Sequence, residues 1–146
     1  MFELTYESQA IDKLTSVDIA NILEEARSFN DGHDITGCLV FYNKKFIQIL
    51  EGKRQEVQEL YAKIKKDKRH GEVKLVSEDT IEERTFPKWG MAYYPISDEN
   101  MSKSELQQFR ANLKLLADFA QPTSATTLLF WKKVKLLVLE SPDNQL

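Results

Sequence analysis

Cysteine is nearly absent: Cys38 stands alone in 146 residues, so no disulfide can form within the chain. A lone thiol fits a reducing compartment and a role as a small apolar side chain rather than a reactive nucleophile. Glycine and proline are scarce at 5 and 4 residues, and 42% of the chain is hydrophobic, which excludes collagen-like and largely disordered readings. No charge of one sign dominates. With 20 Lys and Arg against 23 Asp and Glu the formal net charge is -3, which gives no global electrostatic reason to hold nucleic acid or an anionic membrane. No apolar run reaches the ~18 residues of a membrane span, and the start MFELTYESQA lacks the cationic and apolar regions of a signal peptide, so a cytoplasmic location is expected. The common enzyme signatures are missing as well: no Gly-rich phosphate loop, no paired cysteines, no HExxH, and only His33 and His70, far apart. His33, in Asp31-Gly32-His33-Asp34, reads as an exposed loop residue.

What is present is a clear alternation of periods. Phe2 to Tyr6 alternates large and polar side chains as a strand does, and Thr15 to Phe29 then places Ile19, Leu23 and Ala26 on one helical face. Thr15 with Asp18 resembles a capping box, and Asn30-Asp31-Gly32 has the residues of a helix end. Ile35 to Tyr42 and Phe46 to Leu50 are apolar runs joined by Asn43-Lys44-Lys45, the signature of a hairpin. Val57, Leu60, Tyr61 and Ile64 return to helical spacing, and Lys65 to Arg69 ends that helix on charge. Val73, Leu75 and Ile81 suggest a further strand, with Phe86, Trp89, Met91 and Tyr93 as its hairpin partner. The order βαββαββ is that of an α+β, ferredoxin-like sheet with one added strand, in which the first and third strands lie side by side at the centre. Ser102 with Glu105 opens a third helix, and Leu128 to Leu139 reads as a fourth; these two cover the sheet face left bare by the first two. The expected division is a domain over residues 1–96 and a helical extension over 97–146.

Three polar residues are out of keeping with this pattern. Phe46-Ile47-Gln48-Ile49-Leu50 does not alternate, so the strand is covered on both faces and Gln48 is a polar group in a dry place. Tyr6 on the neighbouring strand could satisfy it, and Asn30 closes the first helix at the same end of the sheet. Two readings stay open on this ground: a structural hydrogen bond, or the polar floor of a site where a planar heteroaromatic ligand enters between the two helices.

The residues Tyr6-x-Ser8, Asn30, Ile35-Thr36-Gly37, Phe46-x-Gln48-x-Leu50-Glu51-Gly52, Asp67-x-Arg69-His70 and Trp89-x-Met91 resemble the BLUF domain, a sensor of blue light that uses flavin. The resemblance runs from Phe2 to Tyr94, and the C-terminal helices resemble those of short, single-domain members without a fused enzyme. It implies a noncovalent oxidised flavin, FAD with FMN as the alternative, held between the first two helices. On that pattern Asn30 and Arg69 face the pyrimidine side of the ring, Gln48 sits between Tyr6 and the flavin edge, and Lys63, Asp67 and His70 lie close by. Tyr6 and Gln48 would be the photoactive pair, and Trp89 and Met91 the relay toward the C-terminal helices. Some members carry serine near the position of Ala26 and many carry it at that of Gly90, and neither change touches that pair. The implied protein is not an enzyme; it signals to an unidentified downstream protein and self-associates as a homo-oligomer, with neither nucleic acid nor membrane as partner. The competing readings are a flavin redox enzyme, which needs an open substrate site where Gln48 and Tyr6 stand, and a cofactor-free ferredoxin-like interaction or RNA-binding domain, which the buried Gln48 and the net acidity oppose.

Overall fold

The computed structural model describes residues 1–87, 89–93, 107, 108, 111 and 124–139. Along the chain they form β1 (Phe2–Ala10), α1 (Ser16–Gly32), β2 (Thr36–Tyr42), β3 (Lys45–Gly52), α2 (Arg54–Lys66), β4 (His70–Thr80), β5 (Trp89–Tyr93) and α3 (Ala125–Leu139). The sheet has five strands in the order β4-β1-β3-β2-β5, so β1 and β3 are neighbours and β3 is central, as the βαββαββ pattern implies. All pairings are antiparallel except that of β2 with β5.

Strand parity sorts the side chains into two cores. Phe2, Leu4 and Tyr6 of β1 join Leu50 of β3 and Val57 of α2, while Leu39, Phe41 and Phe46 meet Ile19 and Leu23 of α1. On the opposite face Val40, Tyr42, Ile47 and Ile49 pack against Phe130, Trp131 and Val134 of α3. The helix expected from Leu128 is thus present, begins three residues earlier, and covers the face opposite α1 and α2. The helix expected from Ser102 falls, but for residues 107, 108 and 111, outside the described residues.

The element ends follow local chemistry. Thr15 caps α1: its hydroxyl accepts from the Asp18 N–H at 3.1 Å, and its own N–H donates to the Asp18 carboxylate at 2.9 Å. That hydrogen bond from the Thr15 backbone holds the Asp18 carboxyl below its usual range. His33 is exposed in the turn after α1, as expected, where its ring stacks on Phe29 at 3.8 Å and Nδ1 meets the Phe29 carbonyl at 2.8 Å. Two expectations need correction. The helix continues through Asn30-Asp31-Gly32, and the left-handed residue is Asp34, at φ 54°. The β2–β3 loop is the two residues Asn43 and Lys44, both with positive φ (50° and 63°), the backbone of a tight primed turn.

The largest correction concerns β5. It is not the hairpin partner of β4 but lies on the far edge of the sheet, parallel to β2. The crossing segment is tied down by contacts remote in sequence: Arg84 donates to the Thr36 hydroxyl at 2.7 Å and to the Glu51 carbonyl at 3.1 Å, and pairs with Asp34 at 3.0 Å. The backbone N–H groups of Thr85 and Phe86 donate to the Glu51 carboxyl.

Gly37 marks the tightest approach in the sheet. Its φ is 153°, and a Cβ there would lie 1.9 Å from the Ile49 carbonyl oxygen on the adjacent strand. Gly37→Ala is expected to destabilise the protein by at least ~3 kcal/mol, because backbone strain and a clash with a fixed strand act together. Urea unfolding monitored by circular dichroism measures it.

Candidate functional site

Between α1, α2 and the sheet lies a cavity of about 250 Å³. Its floor comes from β1, β2 and β3 through Tyr6, Leu39, Phe46 and Gln48. One wall is the α1 face of Ile22, Glu25, Ala26, Phe29 and Asn30; the other is Leu60, Lys63 and Ile64 of α2, followed by Asp67, Arg69 and His70. Tyr6, Asn30, Gln48, Lys63, Asp67, Arg69 and His70, the residues singled out in the sequence, all line this one cavity. They reach it from separate strands and helices and from the α2–β4 connection, which the β1–β3 pairing and the two crossover helices bring together.

Tyr6 and Gln48 stand directly opposite in the β1–β3 register, and the Tyr6 hydroxyl donates to Gln48 Oε1 at 2.5 Å. Both are buried, at 3% exposure each. Burial, then the neighbouring Tyr61 and Asp67, pushes the Tyr6 phenol well above its ordinary range, so it stays protonated at rest. The Gln48 backbone carbonyl accepts from Thr5 Oγ1 at 2.8 Å, while its Nε2 has no hydrogen-bond partner among the described residues. A buried amide with one end satisfied and the other facing a cavity is a donor provided for something that enters.

Arg69 is the second such donor. Its Nε and Nη2 hold both oxygens of Asp67 (3.0, 3.2 and 2.7 Å), and Nη2 also reaches Glu25 at 2.8 Å. Nη1 has no partner among the described residues. The Arg69 guanidinium in turn holds the Asp67 carboxyl below its usual range. Glu25 thereby links α1 to the segment after α2 across the cavity; sequence reading missed it, and its only signal was its place beside Ile22, Ala26 and Phe29 on the inner face of α1. Lys63 lies over the Phe29 ring at 4.7 Å.

His70 behaves differently from the rest. Nδ1 lies 2.7 Å from Ser8 Oγ and Nε2 2.5 Å from the Ile64 carbonyl, so both ring nitrogens are engaged and the residue offers the cavity its ring rather than a free nitrogen. Asn30 is 1% exposed in the last turn of α1. Trp89 and Met91 lie in β5 at the register positions of Gly37 and Leu39. Cys38 is on β2, where burial pushes its thiol up to about 12, in keeping with an inert side chain.

Apolar side walls with a few convergent polar groups are the usual make-up of a small-molecule site, and here the donors fit a flat heterocycle with carbonyl and ring-nitrogen acceptors on one edge. Comparison with known proteins gives the same direction. The family described as "Sensors of blue-light using FAD" matches residues 1–92. Subunit alpha of a photoactivated adenylate cyclase from Euglena gracilis is 40% identical over 86 residues, which is 59% of this chain and 8% of that protein. The chain thus spans under a tenth of that relative. Among solved structures, a BLUF protein, BlrB, in its dark state superposes with a TM-score of 0.64 at 30% identity over 92% of this chain and 96% of that one. BlsA in its photo-activated state superposes with 0.63 at 29% identity over 94% of each chain.

If Asn30 and Arg69 hold a ring edge in this cavity, the double variant Asn30→Ala/Arg69→Ala should lose flavin affinity, each lost hydrogen bond to a buried group costing ~1–3 kcal/mol. Flavin fluorescence titration of the apoprotein reads the loss, and full affinity in that variant would discard the assignment.

Proposed function

The chain belongs to the BLUF family of blue-light sensors that use flavin, and from that premise we propose that it works as a photoreceptor whose switch is the Tyr6–Gln48 pair and whose chromophore is FAD. The single observation that carries the reading is the 2.5 Å hydrogen bond from the Tyr6 hydroxyl to Gln48 Oε1, at the floor of a cavity toward which the same amide has a donor to spare. A cavity of about 250 Å³ falls just under the ~300–1,000 Å³ of ordinary small-molecule sites, which suits enclosure of a ring system with the remaining, more polar part of the cofactor outside. FAD is preferred over FMN on the family description alone.

Bound flavin supplies light absorption and, when excited, a one-electron oxidant. The response to that oxidant belongs to the chain's own residues. Because burial keeps the Tyr6 phenol neutral, its electron leaves together with its proton, and Gln48 Oε1 is the atom placed to take that proton. The Gln48 amide then changes its hydrogen-bonding pattern by rotation or tautomerism and retains the change after the electron and proton have returned to Tyr6. An amide suits this because acceptor and donor share one planar group, so reversal exchanges the entire local pattern. Arg69, oriented by Asp67 and Glu25, and Asn30 fix the ring, Lys63 supports it from α2, and His70 shapes the wall while tying Ser8 to Ile64.

Output runs through Trp89 and Met91 to the segment over residues 97–146, which includes α3, and from there to a partner protein or a second copy of this chain. The photoactivated cyclase of Euglena gracilis and a bacterial light-regulated adenylyl cyclase are relatives in which the matching region accounts for 8% and 40% of the chain. No helix among the described residues is long and apolar enough to cross a membrane.

Tyr6→Phe and Gln48→Leu roughly preserve shape while deleting the hydrogen-bonding groups, so both should bind flavin, keep the fold and lose the reversible red shift of its absorption after blue light. A normal shift in Gln48→Leu would remove the amide from the mechanism. Mass spectrometry of the cofactor released on denaturation decides between FAD and FMN.

A further inference from the structure

On the sheet face away from the cavity, three acidic residues stand in one row across three strands. Glu3 of β1 is in register with Glu51 of β3 on one side and Asp79 of β4 on the other. Glu3 and Glu51 are both 0% exposed and stand directly opposite in the register, so burial and the neighbouring Glu3 side chain push the Glu51 carboxyl up. The two carboxyls hold two separate pieces of the chain, each with both of its oxygens. Glu3 accepts from the hydroxyls of Ser124 and Thr127 at the start of α3. Glu51 accepts from the backbone N–H groups of Thr85 and Phe86, in the segment that leads into β5. We propose that Glu3 and Glu51 form a proton-operated clamp that fastens the start of α3 and the 85–86 segment to the sheet, which gives the protein a pH input separate from its cavity.

No cation neutralises the pair among the described residues. Arg84, from the crossing segment, spends its charge on Asp34 and touches Glu51 only at the backbone carbonyl. Lys133 of α3 pairs with Glu7 of β1. Asp79 adds a third carboxylate, held by the Thr126 N–H at 3.0 Å and hydroxyl at 2.8 Å. The first turn of α3 carries no acidic residue, and its N–H ends are already taken: Thr126 donates to Asp79, and Thr127 to the Ser124 hydroxyl. Burial first, and the neighbouring Glu3 side chain second, push Glu51 from 4.5 up to about 7. Below that value a proton on Glu51 closes the clamp. Above it two buried carboxylates face each other, and relief comes by parting the half-buried ends, Ser124 on one side and Thr85-Phe86 on the other. The native state binds more protons than the unfolded chain between 4.5 and about 7, so stability falls as pH rises through that window and levels off above it.

The clamp does not depend on the light-sensing reading, and its test needs no illumination. In ¹⁵N-labelled full-length protein, the amide signals of Thr85, Phe86 and Thr127 are followed between about pH 5 and 9, with thermal unfolding in parallel. The expected result is one shared midpoint near 7 and a melting temperature that falls across the same interval. Glu3→Gln can still accept from Ser124 and Thr127 and can donate to Glu51, so it should move the midpoint toward acid by about one unit or more and flatten the melting profile. Glu51→Gln should abolish the titration. The proposal is overturned if the wild-type amides titrate in the ordinary carboxylate range, if Thr127 does not follow Thr85 and Phe86, or if Glu3→Gln keeps the wild-type midpoint. The wild-type titration is decisive even where a variant fails to fold.

Discussion

The antiparallel register of β1 on β3 is the constraint on which everything else depends. It sets Tyr6 against Gln48 and Glu3 against Glu51 in one stroke, and because side chains alternate along a strand, the first pair lies on the cavity face and the second on the α3 face. A slip of one residue would send Phe2, Leu4 and Tyr6 toward α3 and the acids toward the cavity, so the apolar pattern of the central strands enforces the register strongly. Binding cavity and helix attachment are thus two sides of one alignment. Neither can be altered without the other unless the change is confined to side chains.

The two faces handle charge in opposite ways. At the cavity, Arg69 gathers Asp67 and Glu25 around itself, so each carboxylate near the entrance has a cation. The spare capacity left over is of the donor kind, on Gln48 Nε2 and Arg69 Nη1, which is the complement of a carbonyl-bearing ligand. Across the sheet, acids meet acids, and backbone N–H groups, hydroxyls and a proton stand in for missing cations. Hydrogen-bond donors fixed to the backbone cannot follow a change of charge as a flexible lysine could, which is why the α3 side is the one sensitive to protonation.

How far the sequence reveals this depends on how local the cause is. The capping box at Thr15, the hairpin turn and the two-sided burial of β3 are written in neighbouring residues, and all were legible. Gln48 was legible because a lone amide inside an apolar run has no local explanation, Asn30 because it closes α1 at the same end of the sheet, and the family motifs supplied Lys63, Asp67, Arg69 and His70; all line one cavity. The placement of β5 was not legible: periodicity says that residues 89–93 extend, but the choice of edge is made by Arg84 and Glu51, whose partners lie 33 to 50 positions away. Glu3 was hidden for a related reason. In an alternating strand an acid reads as solvent-facing, and it becomes buried only because α3, more than a hundred residues later, closes that face.

The same geometry limits how a change at Gln48 can travel. Its backbone is held on both edges by β1 and β2 and again by the Thr5 hydroxyl on its carbonyl, so the strand itself is pinned where the amide is free to move. The reversal of that amide proposed above would therefore act through side chains and not by displacing β3. The register offers one continuous row for it: Tyr6, Gln48, Leu39 and Met91 stand opposite one another across β1, β3, β2 and β5. Leu39 is 3% exposed, lines the cavity beside Gln48, and stands at the register position between Gln48 and Met91. At that edge β5 is held to the sheet by a single parallel neighbour, and the segment entering it is fastened by Glu51. On the proposed light-sensing reading, the route out of the cavity therefore leads along this row to the edge strand, whose entering segment is fastened by Glu51 on the other face.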